Sequence, residues 1–117
     1  ATFRGGCISP GMKTRFRALH DYTAKLPLCA ATESEELAGL TTRQAIELGV
    51  MNGIAFEIEG YAARMRSQIE DLCVIFTGGD ANFFVKRIKN TIFANCNLVF
   101  CGLNRILEYN ASEEHLN

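Results

Sequence analysis

The stretch Leu72–Ala81, which reads Leu-Cys-Val-Ile-Phe-Thr-Gly-Gly-Asp-Ala, decides the fold. Its first five residues are apolar, and a short apolar run bounded by glycine is typical of a strand buried on both faces. The segment that follows, Asn82–Asn90, has helical spacing. Glycines between a strand and a helix let the backbone turn tightly and come close to a ligand. We therefore predict a strand at Leu72–Phe76 that leads through a glycine turn into a helix.

The residues after this strand are the candidate ligand contacts. Ligands of open α/β sheets collect at the carboxyl ends of the strands, which here are followed by Thr77, Gly78, Gly79 and Asp80. A double glycine before a helix is also common in a plain turn, and Asp80 is a suitable N-cap. Both interpretations stay open on these residues alone.

The composition is that of a soluble globular domain, with 117 residues, 48% hydrophobic and 21% charged. A net charge of −1 argues against nucleic-acid binding through bulk charge. The five cysteines show no C-x-x-C spacing and only two histidines are present, which argues against a zinc site. An odd cysteine count without a pairing pattern indicates a reducing cytoplasm, and we expect Cys73 and Cys101 to be buried. The sequence shows no signal peptide and no membrane-spanning run.

A first helix is predicted from Ser9 and Pro10, which suit the N-cap and the first helical position. Apolar residues then recur at helical spacing, and Leu26 with Pro27 ends the pattern. The next segment, Leu28–Leu40, has no clean period, so we predict a surface loop.

A long helix follows this loop. Thr41 and Gln44 have the form of a capping box, and the helix is predicted to run to about Asp71. One face carries small residues at steps of four: Ala45, Gly49 and Gly53. A second face carries a bulky stripe made of Val50, Ile54, Ile58, Tyr61, Met65 and Ile69. Interior glycine costs roughly 1 kcal/mol, so a close helix contact is expected. The pattern favours a helix between a sheet and a second subunit, and the alternative is that both faces pack within one monomer.

The rest of the chain repeats the alternation of strand and helix. We predict a strand at Leu98–Cys101, a helix at Leu103–Tyr109 and a frayed tail at 111–117. This order predicts a parallel α/β arrangement with right-handed crossovers. No Ser-His-Asp set, phosphate loop of the G-x-x-x-x-G-K-[ST] type or pair of catalytic carboxylates stands out. The residues alone thus predict an α/β domain with a candidate ligand edge.

Four blocks together resemble one family. The chain resembles the type III pantothenate kinases in the order and spacing of these blocks, which are Gly5–Gly11, Thr23–Pro27, Gly49–Gly53 and Thr77–Ala81. The resemblance covers nearly the whole chain and implies the actin-like and sugar-kinase superfamily, which pairs two ribonuclease H-like domains around ATP. The chain resembles the carboxyl-terminal half. It would be a ribonuclease H-like α/β domain at 1–110, truncated at its amino-terminal strands and containing one long helix.

The resemblance also implies a function. The family phosphorylates pantothenate with ATP in coenzyme A biosynthesis, in the cytoplasm, as a homodimer that uses Mg²⁺ and a monovalent cation such as K⁺ or NH₄⁺. It implies a substrate contact for Thr42 and adenosine contacts for Thr77, Gly78, Gly79 and Asp80. Neither a nucleic acid nor a membrane is an expected partner.

Departures from the family pattern are equally informative. The Asp-x-Gly-Asn-Thr phosphate motif and the Asp-Arg pair that supplies the catalytic base are absent, and the second phosphate motif would lie upstream of Ala1. We therefore expect a fragment with no catalytic residue and no activity by itself. Two alternatives remain at this point: a non-enzymatic dimerisation module of an accessory, transcriptional-activator-like protein, and a nucleotide-binding domain for another sugar-kinase-like substrate.

Overall fold

A computed structural model of the chain describes residues 4–88 and 98–100. The elements follow in the order α1 (Met12–Asp21), α2 (Thr42–Arg66), β1 (Val74–Phe76), α3 (Ala81–Ile88) and β2 (Leu98–Phe100). The described residues fall into two compact units. One is Ser9–Arg64, and the other combines the residues on either side of it.

Helix α1 begins later and ends earlier than the sequence predicts. Gly11 is the N-cap, with extended backbone and no side-chain cap, because the Ser9 hydroxyl instead donates to the carboxylate of Glu57. The helix ends at Asp21, where the amide of Tyr22 closes the last turn on the carbonyl of Ala18. The predicted continuation to Leu26 is therefore wrong.

The predicted capping box at the start of α2 is present in a modified form. The Gln44 amide donates to the Thr41 hydroxyl at 3.1 Å, as the pattern requires. The side chain of Gln44 accepts from the amide of Leu40 at 2.9 Å, one residue before the usual partner. The first bond satisfies an amide that the first turn of the helix leaves without an acceptor, and the second holds Leu40, just before the cap, against that turn.

Helix α2 has 25 residues, about 37 Å at 1.5 Å per residue, and ends at Arg66 rather than near Asp71. Its end is set by the carbonyl of Met65, which accepts from the amides of both Gln68 and Ile69. Since Ile69 thus lies outside the helix, the predicted bulky stripe does not extend that far.

The buried side of α2 differs from the predicted stripe. Within the stripe Val50 is buried, but Tyr61 and Met65 are exposed. The most buried residue is Met51, with 0% of its surface exposed, and it lies on the same side as Leu48, Ala55 and Ala62. The small-residue side stays largely open, since Ala45 and Gly49 are exposed.

The loop at Leu28–Leu40 contains no helix or strand, as predicted. It is held to α2 by the buried Asn52, whose amide group donates to the carbonyl of Glu36 at 2.7 Å. With Met12 and Phe16 of α1, Cys29 of the loop and the buried side of α2, this unit forms one small core.

In the other unit, β1 and β2 pair in parallel, with Val74 opposite Leu98 and Phe76 opposite Phe100. The predicted parallel arrangement is confirmed at this ladder. The strand is shorter than predicted and is not buried on both faces, because Ile75 keeps 59% of its surface exposed. Cys73, expected to be buried, precedes the strand and is exposed. Parallel strands are buried on both faces only where layers cover both sides of the sheet, and within the described part of the chain the side that carries Ile75 is open.

Helix α3 follows the glycine turn as predicted and buries Phe84 and Ile88. Several predictions lie outside the described residues: the end of this helix at Asn90, the position of Cys101, the helix Leu103–Tyr109 and the tail 111–117.

Candidate functional site

The residues predicted to contact a nucleotide form one turn between β1 and α3. Gly78 has a φ of +101°, a conformation that L side chains rarely adopt. The amide of Ala81 donates to the carbonyl of Gly78 at 3.3 Å, which closes the turn. Thr77, Gly78 and Gly79 are exposed.

The space around this turn is open. A Cβ placed on Gly78 or Gly79 would meet no atom of the described residues within 4 Å. A planar ligand could therefore lie directly against the backbone here. Asp80, half-buried, occupies the N-cap position of α3, and its backbone carbonyl accepts from the amide of Phe83 at 3.2 Å. The strand-end turn thus brings together all four residues that sequence reasoning named.

Thr42 lies in the other unit, at the first residue of α2. The cap is made by Thr41, and the Thr42 hydroxyl has no hydrogen-bond partner among the described residues. Thr42 is exposed. Among the described residues, the Thr42 hydroxyl is therefore not used to cap the helix.

Thr42 borders a groove between α1 and α2. We define the interhelix groove as the cavity of about 710 Å³ lined by Arg15, Ala18, Leu19, Leu26, Thr42, Ala45, Ile46, Gly49 and Val50. Its volume lies in the range of small-molecule sites and most of its lining is apolar, but the groove is open along the surface rather than enclosed. The small side chains of Ala45 and Gly49 leave the room that the groove occupies.

Arg15, the only charged residue of this lining, is held by two bonds. Its Nε donates to the carbonyl of Pro10 at 2.8 Å, and its Nη2 donates to the carboxylate of Glu57 at 2.6 Å. The other carboxylate oxygen of Glu57 accepts from the Ser9 hydroxyl. The hydrogen bond from Ser9, together with that from Arg15, lowers the pKa of Glu57.

Sequence reasoning missed this network because its members are far apart in the chain. Ser9 and Glu57 are 48 residues apart, and Arg15 and Glu57 are 42 apart. No local pattern announces such a pairing.

A second cavity, of about 670 Å³, lies in the same unit between the loop Leu28–Leu40 and the start of α2. Its lining contains Ser34, Glu36 and Glu47, but among the described residues no group of three or more histidine, cysteine or acidic side chains could hold a metal ion. Within the same part of the chain, no helix combines the length and the hydropathy needed to cross a bilayer.

Comparison with known proteins relates the chain to one family. The sequence model of the type III pantothenate kinase family matches residues 1–64. The chain is 50% identical over 107 residues to a type III pantothenate kinase of Flavobacterium psychrophilum, which covers 92% of the chain and 44% of that protein. It is 47% identical over 110 residues to one of Cytophaga hutchinsonii, covering 94% of the chain and 47% of that protein.

A type III pantothenate kinase of Bacteroides fragilis is 46% identical over 108 residues, which is 92% of the chain and 44% of that protein. The chain thus spans a little under half the length of these relatives. The match includes the first turn of α2 as well as the Gly-Gly-x-x-Ser-Pro-Gly segment. The chain belongs to the type III pantothenate kinase family.

Proposed function

We propose that this chain is the carboxyl-terminal half of a kinase that phosphorylates pantothenate with ATP, as the first committed step toward coenzyme A. The observation that carries the proposal is the identity of 44–50% to proteins named type III pantothenate kinase over at least 92% of the chain. Those relatives favour a kinase over the accessory module, and no observation on the described residues favours the module.

The chain would supply binding and no bond-making chemistry. The adenosine of ATP would lie against the turn Thr77–Asp80, where Gly78 and Gly79 present backbone with open space around it. A polar group of pantothenate would accept from, or donate to, the hydroxyl of Thr42. Phosphoryl transfer depends mainly on positioning and electrostatic stabilisation of the phosphates. In this proposal those parts come from the Asp-x-Gly-Asn-Thr motif and the Asp-Arg pair of the other half.

The resemblance implies Mg²⁺ and a monovalent cation, and the described residues contain no group of three or more histidine, cysteine or acidic side chains that could hold a metal ion by themselves. Mg²⁺ in kinases is bound largely through the phosphates of the substrate. We derive no step through either ion from this chain. The actin-like, ribonuclease H-like fold, a cytoplasmic location and a homodimer belong to the same proposal. The parallel ladder and the net charge of −1 are compatible with it.

The decisive experiment measures pantothenate phosphorylation by the complete kinase that contains this chain, and by the 117-residue chain alone. We expect turnover only from the complete kinase, because the phosphate motif and the catalytic base are absent from the chain. The preparation must be free of host kinase. Turnover by the chain alone would contradict the division of labour, and no turnover by the complete protein would contradict the function.

A single substitution then tests the substrate contact. Thr42→Val in the complete kinase keeps the shape of the side chain and removes the hydroxyl, which is worth about 0.5–1.5 kcal/mol as one hydrogen bond. We expect the KM for pantothenate to rise several-fold, while the KM for ATP and the thermal midpoint stay near those of the parent. An equal change in both KM values would show that Thr42 has no specific role toward pantothenate.

A further inference from the structure

The interhelix groove has one polar residue near each end. Thr42 is in the first turn of α2, and the lining then follows the helix through Ala45 and Ile46 to Gly49 and Val50. Arg15 reaches over the next turn, where its Nη1 stands 3.6 Å from the position of a Cβ on Gly53. Along the axis of α2, the lining from Thr42 to Val50 spans about 12 Å at 1.5 Å per residue, and Gly53 lies just beyond it. The α2 residues of the lining after Thr42 are all apolar.

One nitrogen of Arg15 is unused. Its Nε and Nη2 are bonded to Pro10 and Glu57, and its Nη1 has no hydrogen-bond acceptor among the described residues. Two bonds fix the plane of the guanidinium, so the third nitrogen is held in place without a further loss of side-chain freedom. Such a prepositioned donor is the arrangement that gives a binding site its specificity.

The net charge at the Arg15 end of the groove is small. Glu57 compensates the positive charge of Arg15, because the two groups form an ion pair in which both side chains are mostly covered. The end of the groove thus offers a strong hydrogen-bond donor without a large net positive charge. It suits an oxygen acceptor, such as a carbonyl or carboxylate oxygen, better than a highly charged group such as a phosphate.

We propose that Arg15 is a second substrate contact, which donates from Nη1 to an oxygen at the end of the substrate away from Thr42. The interhelix groove then takes an elongated molecule that carries oxygen at both ends. Pantothenate, with a hydroxyl at one end and a carboxylate at the other, belongs to this class, and its dimethyl-substituted carbon can meet the apolar lining. The inference rests on the proposed function, because it takes Thr42 and the groove as parts of the pantothenate site.

The test is Arg15→Met in the complete kinase. This change keeps an unbranched side chain and removes the donor. Arg17→Met is the matched control, since Arg17 is on the same helix and forms only an exposed pair with Asp21 at 3.6 Å. We expect Arg15→Met to raise the KM for pantothenate about five- to tenfold, with the KM for ATP unchanged, and Arg17→Met to change neither. Equal pantothenate KM values for the two variants overturn the inference.

A second variant protects the test against a misfolded Arg15→Met protein. Gly49 lines the groove, and a Cβ there meets no atom within 4 Å, so Gly49→Leu fills the groove without a backbone clash. We expect it to weaken pantothenate binding, measured by calorimetry without ATP, while the thermal midpoint does not fall. Unchanged binding, or loss of binding only together with dissociation of a dimer in sedimentation, shows that the groove is not a ligand site and overturns the inference.

The outcomes separate this inference from the proposed function. If Thr42→Val raises the KM for pantothenate and neither Arg15→Met nor Gly49→Leu does, the Thr42 contact stands and the groove is overturned. If the two groove variants raise it and Thr42→Val does not, the groove is supported and the role of Thr42 fails. If the complete kinase does not phosphorylate pantothenate but binds it in the groove, the proposed function alone fails.

Discussion

The turn after β1 requires glycine at one position, Gly78. Its φ of +101° places it where a Cβ would be strained, whereas Gly79 shows no positive φ. Both positions are exposed and have open space around them. The two glycines therefore look alike in the sequence but differ in the folded chain. The backbone conformation at position 78 requires glycine, whereas the backbone conformation at position 79 does not.

We predict that Gly78→Ala lowers the free energy of unfolding by about 1 kcal/mol or more, because alanine is disfavoured at positive φ. Gly79→Ala is the matched control and should change it by less than about 0.5 kcal/mol. Thermal denaturation of the two variants side by side provides the measurement. Equal midpoints would show that the turn relaxes to a conformation that alanine accepts.

At the scale of elements, α2 owes its start to hydrogen bonds made by Thr41 and Gln44, and its end to the carbonyl of Met65. Its interior is held by the burial of Met51 and by the bond from Asn52 to the loop. Glycine weakens the helix at Gly49 and Gly60, where a Cβ would meet no atom of the described residues within 4 Å. The small residues therefore leave space rather than permit a contact seen within this chain.

We predict that Thr41→Ala destabilises the chain by about 1 kcal/mol, because the amide of Gln44 loses its acceptor. Thr41→Ser retains the hydroxyl and should remain within a few tenths of a kcal/mol of the parent. Urea denaturation followed by circular dichroism at helical wavelengths compares the three proteins. A Thr41→Ala protein as stable as Thr41→Ser would mean that the first turn is held by Gln44 and Leu40 alone.

At the scale of the whole molecule, the open question is what covers the exposed side of α2. Three positions in the second half of this helix lie along one side and are exposed: Phe56, Gly60 and Ala63. A single large apolar side chain among small ones suits helix packing at short distance. The proposed homodimer would place a second copy of α2 there.

Gly60→Leu tests this assembly, since a Cβ at Gly60 meets no described atom within 4 Å, whereas a leucine side chain there would obstruct a neighbouring helix. We expect the parent protein to sediment as a dimer at micromolar concentration and the variant to shift toward monomer, at a cost of roughly 1–3 kcal/mol. Arg43→Ala, at an exposed position elsewhere on the helix, should not change the distribution. A parent protein that sediments as a monomer throughout this range would rule out dimerisation through α2.

Local patterns explain the predictions that held. The capping of α2 depends on residues three positions apart, and the turn after β1 depends on which residue tolerates positive φ. The parallel pairing followed from the alternation of strand and helix. The predictions that were wrong needed distant partners. Ser9 could not be excluded as an N-cap until Glu57 was seen beside it, and exposure of Ile75 depends on which layers cover the strand.

The amino-acid sequence by itself determined the family, the long helix with its cap and the glycine turn, since each is written in residues that are neighbours or a few positions apart. Tertiary structure alone decided which side of α2 is buried, that Arg15 is fixed by Pro10 and Glu57, and that two helices leave a groove beside Thr42. The physical reason is that burial and long-range hydrogen bonds are settled by competition among partners that only the folded chain brings within reach.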